Sequence, residues 1–233
     1  EKEHNEMWQL QTIIPATTKA PYNTHFSGYG LGWFLSDVKG YKQVTHTGGL
    51  EGIVTQVTLL PELNLGIIVL TNQQSGAAFS AITNTIKDSY LGIQSEDYVT
   101  LYSNRTKAHE ETADKVTDEV WVIVAKNKKD KIKVDFNNFI GTYKDNWFGD
   151  ITVSEKKGKL YFASKRSPQL SGEVFFYKGN NFVVKWNNAY FHADAHLFFE
   201  CDTAGKATGL KMKPISELTD FSYDFQDLDF KKI

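Results

Sequence analysis

A chain of 233 residues, 41% hydrophobic and 23% charged, holds enough apolar material for one large folded domain or two small ones, which excludes a disordered or fibrous protein. A formal net charge of −2 excludes the basic footprint of a nucleic-acid partner. The single cysteine, Cys201, excludes an internal disulfide, and no apolar run approaches the roughly 20 residues of a transmembrane segment.

The chain opens on Glu1-Lys2-Glu3-His4-Asn5-Glu6, with no methionine and no apolar stretch behind it. It therefore reads as a piece cut from a longer protein rather than as a signal peptide. Residues 1–27, with Pro15, Pro21 and many polar side chains, read as loop with a short helical start. From Gly28 the texture changes. Tyr29-Gly30-Leu31-Gly32-Trp33-Phe34-Leu35 reads as one aromatic strand, and Gly40 turns it into a second that ends at His46. After a break at Gly48-Gly49 come strands over 53–60 and 65–70, the latter apolar on both faces like a central strand. Ser75 is the expected N-cap of a helix that buries Phe79, Ile82, Ile86 and Tyr90, with Gly92 as its C-cap.

Residues 97–116 are polar and helix-permissive, and the lysines of 126–131 read as a solvated surface. The expected organisation is a first region over 1–93, a helical connector over 94–135 and a β-domain over 136–233. That last region holds most of the aromatic residues. Strands are expected at 140–144, 150–154, 159–164, 173–177, 182–186, 196–201 and 209–213, with turn signals such as Lys178-Gly179-Asn180-Asn181 between them. Short, regularly spaced strands indicate an antiparallel barrel or sandwich. The tail from Asp220 to Asp229 alternates aromatic and acidic residues and reads as a final edge strand.

The sharpest chemical signal is His46-Thr47-Gly48-Gly49. Two glycines after a polar pair let backbone approach a ligand closely, and an N–H presented there can polarise a carbonyl beside a proton-handling histidine. A plain strand-turn-strand joint with a surface histidine satisfies the same letters. His192, Asp194 and His196 step by two along a strand and could share a face as metal ligands, but a half-exposed polar face explains them and is preferred. Trp186, Tyr190, Phe191, Phe198 and Phe199 read as barrel core, and Trp147-Phe148 as a plug under a loop.

The succession Tyr29-Gly30-Leu31-Gly32-Trp33, His46-Thr47-Gly48-Gly49, Gly52-Ile53-Val54-Thr55-Gln56-Val57, Leu60-Pro61-Glu62 and Gly66-Ile67-Ile68-Val69-Leu70-Thr71-Asn72 resembles the closing section of the β-lactamase-like serine hydrolases. That family spans class C β-lactamases, penicillin-binding DD-peptidases, D-aminopeptidases and esterases. Phe139-Ile140-Gly141-Thr142-Tyr143-Lys144, Phe148-Gly149-Asp150-Ile151-Thr152-Val153 and Gly158-Lys159-Leu160 resemble the β-domain of unassigned role appended to such hydrolases. The resemblance implies an α+β chain: the C-terminal part of the β-lactamase/transpeptidase-like antiparallel sheet with a packed helix, followed by a separate all-β antiparallel domain.

It also implies that His46, Thr47 and Gly48 are the third active-site motif, that the Gly49 N–H is one oxyanion-hole donor, and that the histidine form belongs to esterase- or peptidase-like members. The family's Ser-x-x-Lys nucleophile and Tyr-x-Asn relay precede this strand. Ser36-Asp37-Val38-Lys39, Ser154-Glu155-Lys156-Lys157 and Tyr102-Ser103-Asn104 spell those motifs in the wrong places, so nucleophile and base are expected upstream of Glu1. The implied partners are a small-molecule or peptide substrate, the missing N-terminal part of the same protein, and a second copy through an uncovered sheet. The implied location is periplasmic or extracellular, with no metal or cofactor.

Overall fold

The computed structural model describes residues 1–50 and 52–233. It divides into two compact units, Glu1–Ala108 and His109–Ile233. The first holds a short helix α1 (Lys2–Met7) and the strands β1 (Thr12–Ile14), β2 (Ser27–Tyr29), β3 (Phe34–Val38), β4 (Tyr41–Leu50), β5 (Ile53–Leu60) and β6 (Leu65–Leu70), followed by helix α2 (Gly76–Leu91). These strands form one antiparallel sheet in sequential order, β1 to β6. Lys39 and Gly40 both take positive φ, the geometry of a two-residue hairpin, so Val38 pairs with Tyr41.

Three expectations for this unit are corrected. The segment 1–27 is not all loop, because Thr12–Ile14 pairs with Ser27–Tyr29 as the sheet's first edge. The run from Tyr29 to Leu35 is two strands: Gly30 donates its N–H to Trp33, Gly32 sits at φ +82, and Tyr29 comes to face Phe34. The third concerns α2. Its ends are as expected, with Gly92 in the left-handed conformation, though Ser75 makes no side-chain cap bond. Its buried face, however, is Ala81, Thr83, Lys87, Asp88 and Leu91, whereas Ile82, Ile86 and Tyr90 are exposed.

Polar pairing selects that face. Thr83 donates to Gln56 at 2.7 Å and Lys87 to Gln43 at 3.1 Å. The Lys87 ammonium lies 4.0 Å from the centroid of the Tyr22 ring. Tyr22 and Tyr98 each donate a hydroxyl, both at 2.7 Å, to the fully buried Asp88 carboxylate. A buried carboxylate held by two hydroxyls is stable where an unpartnered one would be costly.

Lys87 gives this network a pH signature. Burial pushes its ammonium down to about 8, with the Asp88 carboxylate opposing the shift. An unfolded lysine titrates near 10.4. From pH ~8 to ~10 this lysine therefore holds more proton in the unfolded chain than in the folded one, and its own contribution to stability rises with pH. At about 1.4 kcal/mol per pH unit, the gain over that window is at most roughly 2–3 kcal/mol. Above about pH 10 the sign reverses, because burial keeps Tyr22 and Tyr98 protonated in the fold while unfolded tyrosines ionise. In urea denaturation the stability of the native chain relative to Lys87→Met should rise across this window, since the buried tyrosines and Cys201 titrate alike in both. Parallel profiles would contradict the assignment.

Helix α3 (Tyr98–Lys129) supplies its first turns to the first unit and the remainder to the second. It lies inside the stretch 94–135 that the sequence reads as a helical connector. The lysines at 126, 128 and 129 lie in its last turn, where cations suit the helix dipole.

The second unit is built on β7 (Gly141–Asp145), β8 (Gly149–Lys156), β9 (Lys159–Ser164), β10 (Ser171–Lys178), β11 (Asn181–Trp186), β12 (Ala195–Cys201), β13 (Ala207–Pro214) and β14 (Asp229–Lys232). They close into an eight-stranded antiparallel barrel, with β14 joined to β7. Alternate residues point inward. Ile151, Val153, Leu160, Phe162, Phe182, Val184, Leu197, Leu210 and Phe230 fill the interior together with Phe139, Tyr143 and Phe199. An interior so filled is a core and not a ligand chamber.

The tail is corrected as well. Phe221–Tyr223 and Phe225–Asp227 are 3-10 turns, and only Asp229–Lys232 is a strand, which seals the barrel instead of ending it as an edge. Asp145 locks this seam. Burial opposes its ionisation, yet the N–H groups of Phe148, Asp229 and Trp147 hold its carboxyl below the usual range. Of the aromatic residues expected in the core, Trp186 and Phe199 are buried, while Tyr190 and Phe198 are exposed. Phe148 packs edge-on to Phe230, but Trp147 is exposed rather than a plug.

Candidate active site

The expected break at Gly48-Gly49 is absent: β4 runs unbroken through His46, Thr47, Gly48 and Gly49 to Leu50. β5 pairs with it along this whole stretch, Gly48 with Thr55, Gly49 with Val54 and Leu50 with Ile53. β3 does not follow. Its pairing stops where Phe34 meets Thr45, so residues 46–50 have β5 on one side and, among the described residues, no strand on the other. The motif is an open edge on an interior strand of the sheet.

Ladder alternation decides which backbone groups face that edge. The Val54 carbonyl accepts from Thr71 N–H at 3.1 Å, on the β6 side, so Val54 points away from β4. Gly49, opposite Val54, is then in a non-hydrogen-bonded pair, and its N–H and C=O face the open edge. Gly48 is in a hydrogen-bonded pair with Thr55 and belongs to the ladder. The two glycines also differ sterically. A Cβ at Gly48 would lie 2.8 Å from the Thr55 hydroxyl, whereas one at Gly49 would meet nothing closer than 3.8 Å. Gly49 thus offers a bare, directed N–H with room for a guest oxygen, the geometry of an oxyanion donor.

His46 lies along the same edge. Its Nδ1 is 2.5 Å from the Thr47 carbonyl oxygen, and its Nε2 is 2.9 Å from the Tyr29 hydroxyl. Its ring stacks on Phe34, centroids 5.7 Å apart and planes inclined by 26°. Phe34 in turn meets Tyr29 edge-on at 4.7 Å. Tyr29 and Phe34 are site residues that the spacing did not reveal; they belong to the aromatic motif whose hairpin brings them here.

The remaining candidates are otherwise engaged or belong to the second unit. Ser36 sits on β3 and accepts from Gln43 Nε2 at 3.2 Å, while Lys39 donates to the Leu91 carbonyl. Ser154 lies on β8 and Lys157 in the turn after it, so no helix brings lysine over either serine. Tyr102 accepts from Asn84 Nδ2 at 2.6 Å on α3. Asp194 accepts from Trp186 N–H, and His196 packs its ring 5.3 Å from Tyr177. No cluster of three metal-ligating side chains occurs among the described residues.

Comparison with known proteins gives one family-model match in each unit. Residues 2–91 match the family model described as Beta-lactamase, and residues 125–232 the one described as Domain of unknown function (DUF3471). The unguisins hydrolase ungD of Aspergillus violaceofuscus (strain CBS 115571) is 30% identical over 89 residues, covering 37% of this chain and 15% of that protein. The unguisins hydrolase ungD' of Aspergillus campestris (strain IBT 28561) is 28% identical over 92 residues, covering 39% of this chain and 17% of the relative. The chain thus spans about a sixth of the length of these curated relatives. Among solved structures, the octameric penicillin-binding protein homologue from Pyrococcus abyssi aligns over 99% of this chain and 42% of its own, with 16% identity and a TM-score of 0.36. SurE aligns over 96% and 41%, with 13% identity and a TM-score of 0.33. The sheet unit is thus similar to the Beta-lactamase family over residues 2–91. The barrel that follows it is of the kind described only as a domain of unknown function.

Proposed function

We propose that this chain supplies one wall of a serine hydrolase active site that opens amide or ester bonds through an acyl-enzyme. In this reading His46, Thr47 and Gly48 line the cleft and the Gly49 N–H holds the acyl oxygen. The nucleophilic serine, its lysine and the tyrosine relay come from a part of the protein outside residues 1–233. The observation that carries the reading is the outward-facing Gly49 N–H on an edge that β3 leaves open. A neighbouring row of exposed apolar side chains supports it: Leu50, Ile53, Ile68 and Leu70 share one sheet face, and Ile68 and Leu70 are 67% and 74% exposed. The rest of the hydrolase domain would rest there, and its absence would leave a surface prone to self-association. The histidine at position 46, in place of a lysine, favours peptidase or esterase substrates over dedicated antibiotic hydrolysis, and the family resemblance favours a periplasmic or extracellular site of action.

The test is covalent labelling. A full-length protein containing this chain should be labelled by a fluorophosphonate or an activated β-lactam on one serine upstream of Glu1. Residues 1–233 alone should hydrolyse neither nitrocefin nor p-nitrophenyl acetate above a denatured control. Resistance of the full-length protein to every such probe would overturn the proposal, as would turnover by residues 1–233 alone.

A further inference from the structure

Two sequence motifs of the first unit meet through a single side-chain bond. The Gly30–Trp33 turn needs a residue without a side chain at both glycines, since a Cβ on Gly30 would lie 2.3 Å from the Met7 carbonyl oxygen and Gly32 sits at φ +82. This tight turn sets Tyr29 opposite Phe34 and carries the Tyr29 hydroxyl to His46 Nε2. We propose that Tyr29 is a positioning residue that fixes the tautomer and ring orientation of His46, so that the neutral form of the ring carries its proton on Nδ1. The inference rests on the reading of His46 as a cleft-lining residue.

Donor and acceptor bookkeeping leads there. A carbonyl oxygen only accepts, so the contact with Thr47 requires a proton on Nδ1. A neutral imidazole then has a bare Nε2, which can only accept, and the Tyr29 hydroxyl is the donor that meets it. The alternative tautomer would set the Nδ1 lone pair against the Thr47 oxygen and turn the Tyr29 contact round. Phe34, stacked on the ring, holds the plane in which both nitrogens meet these partners, and a flipped ring would present Cδ2 and Cε1 in their place. The network has a backbone consequence as well. Thr47 lies in the same ladder phase as Gly49, so its carbonyl faces the open edge and would lack a strand partner there. His46 satisfies that carbonyl, while the Thr47 and Gly49 N–H groups both face the edge, Gly49 with no side chain over it. Tyr29 would thereby order the edge without touching substrate.

The pattern is readable by long-range ¹H–¹⁵N correlation of the histidine rings in this chain, with His46 identified among its six histidines by its loss in His46→Gln. At a pH where the ring is neutral, the native chain should show His46 protonated at Nδ1 and bare at Nε2. Tyr29→Phe keeps the ring that packs on Phe34 and removes only the donor. It should lower the Nδ1–H to Nε2–H ratio about fivefold, the effect of deleting one ordinary hydrogen bond, with the methyl shifts of Val44 and Leu60 retained as the fold control. A native chain carrying the His46 proton on Nε2 would overturn the proposal even if the variant failed to fold. An unchanged ratio in a folded Tyr29→Phe would overturn it too. No turnover is measured, so failure of serine labelling leaves this result standing, and a wrong tautomer leaves the hydrolase reading standing.

Discussion

Phe182→Ala should destabilise the barrel unit by about 3–5 kcal/mol. The ring is fully buried, and Phe139, Phe176 and Phe199 surround it at centroid distances of 4.8, 5.5 and 5.4 Å. Those partners come from the turn before β7, from β10 and from β12, so the surrounding shell is anchored on separate elements. A shell of that kind cannot collapse into the space the ring leaves, and the cost is lost transfer energy plus a cavity. With a denaturant slope of about 2 kcal/mol per molar urea, the unfolding midpoint should fall by roughly 2 M. Tyr190→Ala provides the contrast. Tyr190 is 83% exposed despite lying in the same aromatic stretch of sequence, and its loss should change stability by less than about 0.5 kcal/mol. A Phe182 effect no larger than the Tyr190 effect would mean that the barrel interior is not the close-packed core described above.

The barrel was largely legible because its physics is local. Residues such as Ile151 and Val153, or Leu160 and Phe162, alternate inward with a period of two, and Gly158, Gly179 and Gly205 take positive φ at the turns between strands. The tail was misread because its alternation of aromatic and acidic residues imitates a strand. Asp220 instead accepts from Ser222 N–H, and Asp224 adopts a left-handed conformation that coils the chain into 3-10 turns. Helix α2 was placed well and turned the wrong way. An apolar stripe is the usual signal for the buried face, yet here Thr83, Lys87 and Asp88 bury because Gln56, Gln43, Tyr22 and Tyr98 wait for them. No periodicity encodes such partners.

The candidate site was legible in its letters and misread in its geometry. Gly48-Gly49 looks like a break, and instead the strand continues with each glycine doing a different thing. One keeps its ladder bond beside the crowding Thr55 hydroxyl, and the other turns its amide outward. The Tyr29–His46 bond joins residues 17 apart through a hairpin, and nothing in the spacing announces it.

The outward amide of Gly49 carries the functional account, and one substitution pair isolates it. Proline removes the N–H, and because that N–H is not part of the β4–β5 ladder, the sheet loses no hydrogen bond. Alanine keeps the N–H, and its Cβ meets only ordinary contacts, 3.8 Å to a Val54 methyl and 3.9 Å to the Ile53 carbonyl. Loss of one oxyanion donor typically costs about 100- to 1,000-fold in turnover. The measurement is kcat for an ester or amide substrate in a full-length hydrolase containing this chain, compared across native, Gly49→Ala and Gly49→Pro proteins whose folding is matched by circular dichroism. The account predicts near-native turnover for the alanine variant and a loss of about two to three orders of magnitude for the proline variant. Equal turnover in the two variants would contradict it.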